Sequence, residues 1–239
     1  MVQISLPKTN ALLAALPPSE LASLEPLLEP VDLELRQTLQ EPDEPLAHMW
    51  FPHRGVLSMT SVMEDGSIVE VATIGKEGMV GLGAVLGTNQ MTQLIFCQVV
   101  GEADRLRLAD FDRLRSELPT LNLLLLRYAA ALVAQIAQGS ACNRLHTTEA
   151  RCARWLLMTH DRVDGDRFVL TQEFLSQMLG VARPSVTIAA GMLQAAGLIR
   201  YTRGTIDIVD RARLEQASCE CYAIIGSEFA RLVAPISRK

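Results

Sequence analysis

Apolar positions along the chain recur at two periods, and the points where one gives way to the other mark its elements. Leu21, Leu24, Leu27 and Leu28 repeat at helical spacing after Pro17-Pro18 and before Pro30, which predicts a short amphipathic helix within 11–29. From Val31 the period drops to two. Val31, Leu33 and Leu35 alternate with Asp32, Glu34 and Arg36, and similar runs recur at 56–63, 67–74, 94–100 and 105–109. Side chains on a strand point alternately to its two faces, so these runs read as strands with one buried face. Arg54-Gly55 and Asp65-Gly66 punctuate them as turns, the second a hairpin signal. Many short strands at regular spacing predict an antiparallel barrel or sandwich.

The helical period returns beyond Ala109. Leucines at 114, 118, 121, 124 and 125 predict a helix from Asp110 to Arg127, continued by a stretch without charge from Tyr128 to Asn143. A helix apolar on more than one face must be covered on both sides, one by the strands and the other most simply by a second copy of itself. Gly139-Ser140 would allow a bend. The last third predicts a helix over 147–162, a strand at Phe168–Leu170, two further helices, a hairpin over 198–209 and a single helix from Arg211 to Val233.

The segment from Leu170 to Leu193 says most about function. Thr171 suits an N-cap, with Gln172 and Glu173 in the first turn against the positive end of the helix dipole. Gly180 can take the positive φ of a tight turn, and Pro184 fits the first turn of a second helix, where its missing N–H is not needed. That second helix would bury Val186, Ala189, Ala190 and Leu193 and leave Arg183, Ser185, Thr187 and Ile188 facing out. This is helix-turn-helix spacing, with polar side chains where a recognition helix meets base edges. The hairpin that follows carries Arg200 and Arg203 and would suit a wing against phosphates.

Charge agrees with this division. The chain has 22 basic and 27 acidic residues, a net of −5. Residues 1–146 hold 10 basic and 17 acidic side chains (−7), residues 147–239 hold 12 and 10 (+2), so a polyanionic partner belongs to the second part. Gly78–Gly101 is uncharged and long enough to span a bilayer, but its polar residues and five glycines argue against that. With no secretory pattern at the N-terminus and an odd number of cysteines, five, the expected compartment is the cytoplasm.

The segments HMWFPHRGVLSM, VATIGKEGMVGL, LSQMLGVARPSVT and AAGLIRYTRGTIDI, with the long apolar helix between them, resemble the Crp/Fnr family of bacterial transcription regulators over residues 12–210. The resemblance implies an α+β fold: a β-roll (jelly-roll) sensory domain over 1–118, a dimerisation helix over 119–146, and a winged helix-turn-helix over 147–239. It implies a homodimer on a palindromic site in double-stranded DNA, working with RNA polymerase. Carried over by position, Arg183 would contact a guanine or a phosphate and Ser185 a phosphate, with Pro184, Thr187, Thr171, Gln172, Arg200 and Arg203 completing the interface. Pro184 and Ile188 replace the Glu and the second Arg of many members, so base preference does not transfer.

The resemblance places the effector pocket at Gly78, Gly81, Leu82, Met91 and Thr92. Leu82 stands where cyclic-nucleotide members carry Glu, and no Arg or Lys lies between Lys76 and Arg105. A phosphate there would lack charge-assisted hydrogen bonds, so neither cyclic AMP nor cyclic GMP is expected, and no cofactor is predicted. His48 and His53, beside Trp50-Phe51, read as packing residues, as do His146 and His160. On one continuous helix Cys219 and Cys221 point about 200° apart and cannot chelate one metal by themselves, so no metal site is expected; the functional alternatives there are a thiol switch or a metal shared with another segment. The glycines at 75–87 lack a Gly-Lys-Ser/Thr, and no catalytic constellation stands out, which argues against an enzyme.

Overall fold

The computed structural model describes residues 10–233. Asn10 caps α1 (Ala11–Ala14), its Oδ1 accepting from the Leu12 N–H, while its Nδ2 reaches the carbonyls of Pro52 and Gly78. Pro17-Pro18 starts α2 (Pro18–Leu24), as expected. Strands β1 (Glu29–Leu33), β2 (Thr38–Gln40), β3 (His48–Val62), β4 (Ile68–Ile74) and β5 (Leu94–Arg107) form one antiparallel sheet in the order β1-β5-β3-β4, with β2 also on β5. The short α3 (Leu82–Leu86) lies between β4 and β5.

Two readings are corrected here. Arg54-Gly55 is not a turn: the pair sits inside the 15-residue β3, at register shifts between Pro52 and Leu57. Gly55 has φ +91°, and a Cβ on the facing Gly101 would stand 2.0 Å from the Arg54 carbonyl oxygen. Two strands cross here at a distance that only glycine permits, so a local turn signal is absorbed as a bulge. For the same reason 94–100 and 105–109 are not separate strands, since β5 runs through Gly101. The Asp65-Gly66 hairpin is present, with the Asp65 carboxylate accepting from Ser67 N–H at 2.9 Å.

The helix expected over 110–127 is broken. α4 (Leu108–Leu114) and a single 3-10 turn precede α5 (Pro119–Leu145), because Pro119 begins a helix but cannot continue one. Buried Glu20 from α2 accepts from the Thr120 and Leu121 N–H groups at 2.9 Å, a carboxylate cap on the N-terminus of α5. α5 runs unbroken through Gly139-Ser140. One face of it, with Leu121, Leu124, Leu125, Tyr128 and Leu132, closes the core of the sheet.

The remaining elements are α6 (Thr148–His160), β6 (Arg167–Val169), α7 (Gln172–Leu179), α8 (Arg183–Ala195), β7 (Ile199–Thr202), β8 (Thr205–Ile208), α9 (Arg211–Ala217) and α10 (Cys221–Val233). The helix expected from Arg211 to Val233 is therefore two helices. Ser218 is extended (ψ 162°) and donates its backbone N–H to Leu214 and Glu215, ending α9, and α10 turns back along α5. The second core holds Trp155, Leu156, Phe168, Leu175, Val186, Leu193 and Ile206. Several side chains stitch this part of the chain to the sheet and the loop that follows it. Phe96 meets Phe174 edge-on at 6.1 Å, Trp155 donates its indole N–H to Glu70 at 2.7 Å, and Arg162 pairs with Glu77 at 2.7 Å.

Candidate nucleic-acid interface

α7 and α8 form by the local rules their sequence announces. Thr171 Oγ1 accepts from the Phe174 N–H at 3.1 Å, and Gly180, at φ +61°, ends α7 in a left-handed turn. Arg151 on α6 donates to the Leu179 carbonyl, covering an otherwise open helix end. Ala182 is extended and caps α8 with no side-chain hydrogen bond, so the positive end of that helix is left without a side-chain cap. Val186, Ala189, Ala190 and Leu193 are buried as expected, while Arg183, Thr187 and Ile188 are exposed, Ile188 to 65%.

The other named residues fall around this helix. Among the described residues Arg183 has one ionic neighbour, the Glu173 carboxylate at 4.0 Å. Thr187 donates to Gln172 Oε1 at 2.9 Å, so these two side chains occupy each other in the free chain, and Ser185 is half-buried beside the exposed Pro184. The wing turns through Arg203 (φ +49°) and Gly204 (φ +79°) between the paired Thr202 and Thr205, a two-residue turn of the kind that matches strand twist. Tyr201 ties the wing down by donating its hydroxyl to the Leu170 carbonyl at 3.0 Å. Arg200 lies opposite Asp207, whose carboxyl the Arg167 guanidinium, bonded at 2.6 Å, holds below its usual range.

The glycine turn of the sheet is arranged differently. Tyr128 from α5 fills the corner at Gly78, where a Cβ would meet its ring at 2.6 Å, and its hydroxyl donates to the Met79 carbonyl. Gly81 (φ +97°) starts α3, Leu82 is buried, Met91 packs over Gly83, and Thr92 is exposed. Arg115, remote in sequence, brings a guanidinium to the Ala84 and Val85 carbonyls at 3.5 and 3.4 Å. No signal local to 76–105 announces it. His53 pairs with Asp104 at 3.0 Å, and His48 tilts against Trp50 with ring centroids 6.0 Å apart.

Between sheet and helices lies a cavity of about 270 Å³ lined by Glu70, Thr73, Gln135, Arg154 and Trp155. Burial pushes the Glu70 carboxyl up to about 7, although Ser58 and Trp155 both donate to it at 2.7 Å. The sequence singled out Cys219 and Cys221 but not the partners the fold brings to them. Cys142 and His146 at the end of α5 meet Cys219 and Cys221 at the break between α9 and α10, with one ligand atom from each within 4.8 Å of the others. His146, read as a packing residue, is part of it. The continuous helix that would separate the two cysteines does not exist.

An antiparallel sheet, a long helix and an exposed recognition helix with its wing define a winged helix-turn-helix protein of α+β class. Residues 150–217 match the Crp-like helix-turn-helix domain. The fold is similar to that of FixK2 from Bradyrhizobium japonicum (TM-score 0.65, 13% identity, 80% of this chain and 98% of that one). It is also similar to a transcriptional regulator of the CRP/FNR family from Thermus thermophilus (TM-score 0.62, 17% identity, 80% and 98%). A curated relative, the transcriptional regulatory protein btr of Bordetella pertussis, is 25% identical over 211 residues, covering 84% of this chain and 86% of its own length. The chain thus carries a Crp-like helix-turn-helix domain within a fold similar to that of Crp/Fnr-type regulators.

Proposed function

We propose that the chain is a cytoplasmic homodimer that binds a palindromic DNA site through α8 and the wing, with residues 1–118 as its sensory part, 119–146 as its dimer helix and 147–239 as its DNA-binding part. The observation that carries this is the helix pair: α8 buries its apolar face completely and turns Arg183, Thr187 and Ile188 outward beside the arginine-tipped wing. Arginine suits the acceptor edge of guanine, phosphates suit the uncapped helix end, and Ile188 suits a thymine methyl.

The dimer reading draws on α5. Leu123, Leu126, Ala130, Val133 and Ala137 are all exposed, on the side away from the buried face. Their spacing of three and four residues is that of a coiled-coil seam, and Val133 is 65% exposed. A stripe of this size on a monomer would be an aggregation hazard, whereas a twofold copy covers it. Among the described residues α5 alone is long and apolar enough to cross a membrane, but its other face is committed to the protein core.

Two features weigh against a cyclic nucleotide as effector: Tyr128 fills the corner at Gly78, and residues 77–104 hold no cation. The signal is then something other than cyclic AMP or cyclic GMP. Contact with RNA polymerase follows from this reading. A thiol-responsive alternative rests on Cys142 and Cys219, whose sulfurs lie 3.5 Å apart.

Selection of bound DNA from a random duplex pool tests the proposal. Enriched sequences should show two inverted half-sites about 10 base pairs apart, centre to centre, and affinity should fall steeply with salt. Enrichment of no sequence would sink it, and binding lost on oxidation and restored by reductant would favour the thiol alternative.

A further inference from the structure

We propose that Cys142, His146, Cys219 and Cys221 form a tetrahedral Cys3His site for one zinc(II) ion, which staples α10 to the end of α5.

The geometry points to this before any ion is invoked. Zn–S bonds of about 2.3 Å and Zn–N bonds of about 2.0–2.1 Å place tetrahedral ligands about 3.8 Å apart for two sulfurs and about 3.6 Å for sulfur and nitrogen. Here Cys142 Sγ and Cys219 Sγ are 3.5 Å apart, and Cys221 Sγ and His146 Nδ1 are 3.5 Å apart. The backbone explains how two short segments deliver four ligands. Cys142 and His146 are one helical turn apart, and the His146 N–H still donates to the Cys142 carbonyl at 3.1 Å as the helix ends. Cys219 stands outside any helix and Cys221 is the first residue of α10, so the break at Ser218 frees the pair from the opposed directions a helix would impose.

What surrounds the four ligands fits an ion as well. Metal-bound histidines nearly always donate their second ring N–H to a carboxylate or carbonyl, which fixes the ring. His146 turns Nδ1 to the cluster and Nε2 to Glu220, 3.2 Å away. Gln138 directs an amide N–H at Cys221 Sγ from 3.1 Å, as donors do toward metal thiolates. Three thiolates and one zinc(II) carry a net charge of −1. The buried guanidiniums of Arg151 and Arg154 lie within electrostatic reach of Cys142, and the Nε of each lacks a hydrogen-bond partner among the described residues. A Cys142–Cys219 disulfide would use only two of the four and leave His146 and Cys221 converging on nothing.

The site would do a definite job. Cys142 and His146 end the helix that carries the exposed seam, while Cys219 and Cys221 lie just beyond the segment that carries the recognition helix. Bound zinc would hold those two parts of the chain in one arrangement, whatever the effector turns out to be.

The test uses the full chain, expressed with zinc in the medium and purified in reductant without chelator. Elemental analysis should find one zinc per chain. Replacing it with cobalt(II) should give the visible bands of a tetrahedral ion and a sulfur-to-cobalt charge-transfer band. That band should lose one of its three sulfur contributions in Cys221→Ser and keep all three in His146→Ala and in the control Cys97→Ala. Glu220→Ala should lower zinc affinity about tenfold, the low end of the usual effect of removing a partner of this kind. The measurements on the parent chain do not depend on any variant folding. Parent protein that neither contains zinc nor takes up cobalt would overturn the proposal, as would iron with a visible cluster spectrum, or a Cys142–Cys219 disulfide that persists in reductant.

Discussion

The outer face of α8 and the sulfur cluster behind α10 both gather polar side chains, and they arrange them in opposite ways. Arg183 reaches only a carboxylate at 4.0 Å, and no side chain is bonded to Arg203 among the described residues. These donors diverge and stay solvated, which suits a long, uniformly charged ligand that many weak contacts can follow. The four Cys and His ligand atoms converge within 4.8 Å and are largely withdrawn from water. Convergence of that kind suits a point charge. Divergent donors can be replaced one at a time with graded losses, while a convergent set fails together.

The largest effect should come from separating two copies of the open face. A glutamate in place of Val133 would set like charges against each other across the seam, so Val133→Glu should sediment as a monomer. Its affinity for a two-half-site duplex should fall by about 10²–10⁴-fold, because the second half-site is then no longer held at high effective concentration. A variant that stays dimeric would place the seam elsewhere. Arg183→Ala should act within one copy, weakening specific binding by about 1–3 kcal/mol and relaxing preference at one base pair while the dimer persists. Equal losses on specific and random duplex would make Arg183 a phosphate contact instead.

The two regions also differ in how far the sequence disclosed them. The open face was legible because everything that builds it lies within about 25 consecutive residues: the Thr171 cap, the Gly180 turn, the Pro184 start and the 186-189-190-193 face obey local rules. The cluster joins residues 77 apart, and its meaning turned on a helix break at Ser218 that carries no Pro or Gly to announce it. The sheet shows the same contrast. Asp65-Gly66 could be read as a hairpin from its neighbours alone, whereas Arg54-Gly55 looked alike and became a bulge because Gly101 passes so close that a Cβ on it would stand 2.0 Å from the Arg54 carbonyl oxygen. Arg115 over α3 and the Glu70–Trp155 bond are long-range as well, and no spacing rule reaches them.

That last bond offers a pH test of how the C-terminal part is held to the sheet. An unfolded Glu70 gives up its proton near 4.5, and the folded one near 7 because burial penalises the anion. Between those values the folded chain binds the extra proton, so stability should fall as pH rises from about 4.5 to about 7 and stay lower above it. Glu70→Gln keeps an acceptor for the indole N–H and cannot ionise. Relative to this variant, the parent should lose roughly 3 kcal/mol across the window, about 1.4 kcal/mol for each pKa unit, read from urea midpoints at fixed ionic strength. A constant difference would mean that the carboxylate is not sealed from water.

The smallest effect is expected at the wing, and there its form matters more than its size. Arg203 occupies a tip held by positive φ at residues 203 and 204, with the turn anchored by Tyr201 rather than by the arginine itself. Truncating its side chain should therefore leave the turn intact and remove one mobile cation. Each phosphate neutralised by a cation releases condensed counterions, so Arg203→Ala should reduce the slope of log affinity against log salt by about 1 per protomer. The loss should be the same on specific and random duplexes, because a phosphate carries no sequence. Measured beside Arg183→Ala on the same two duplexes, the variants then separate the two parts of the open face: one changes which sequence is bound, the other only how strongly salt competes. If Arg203→Ala alters sequence preference, the wing enters a groove, and if it leaves the salt slope unchanged, the wing stands clear of the backbone.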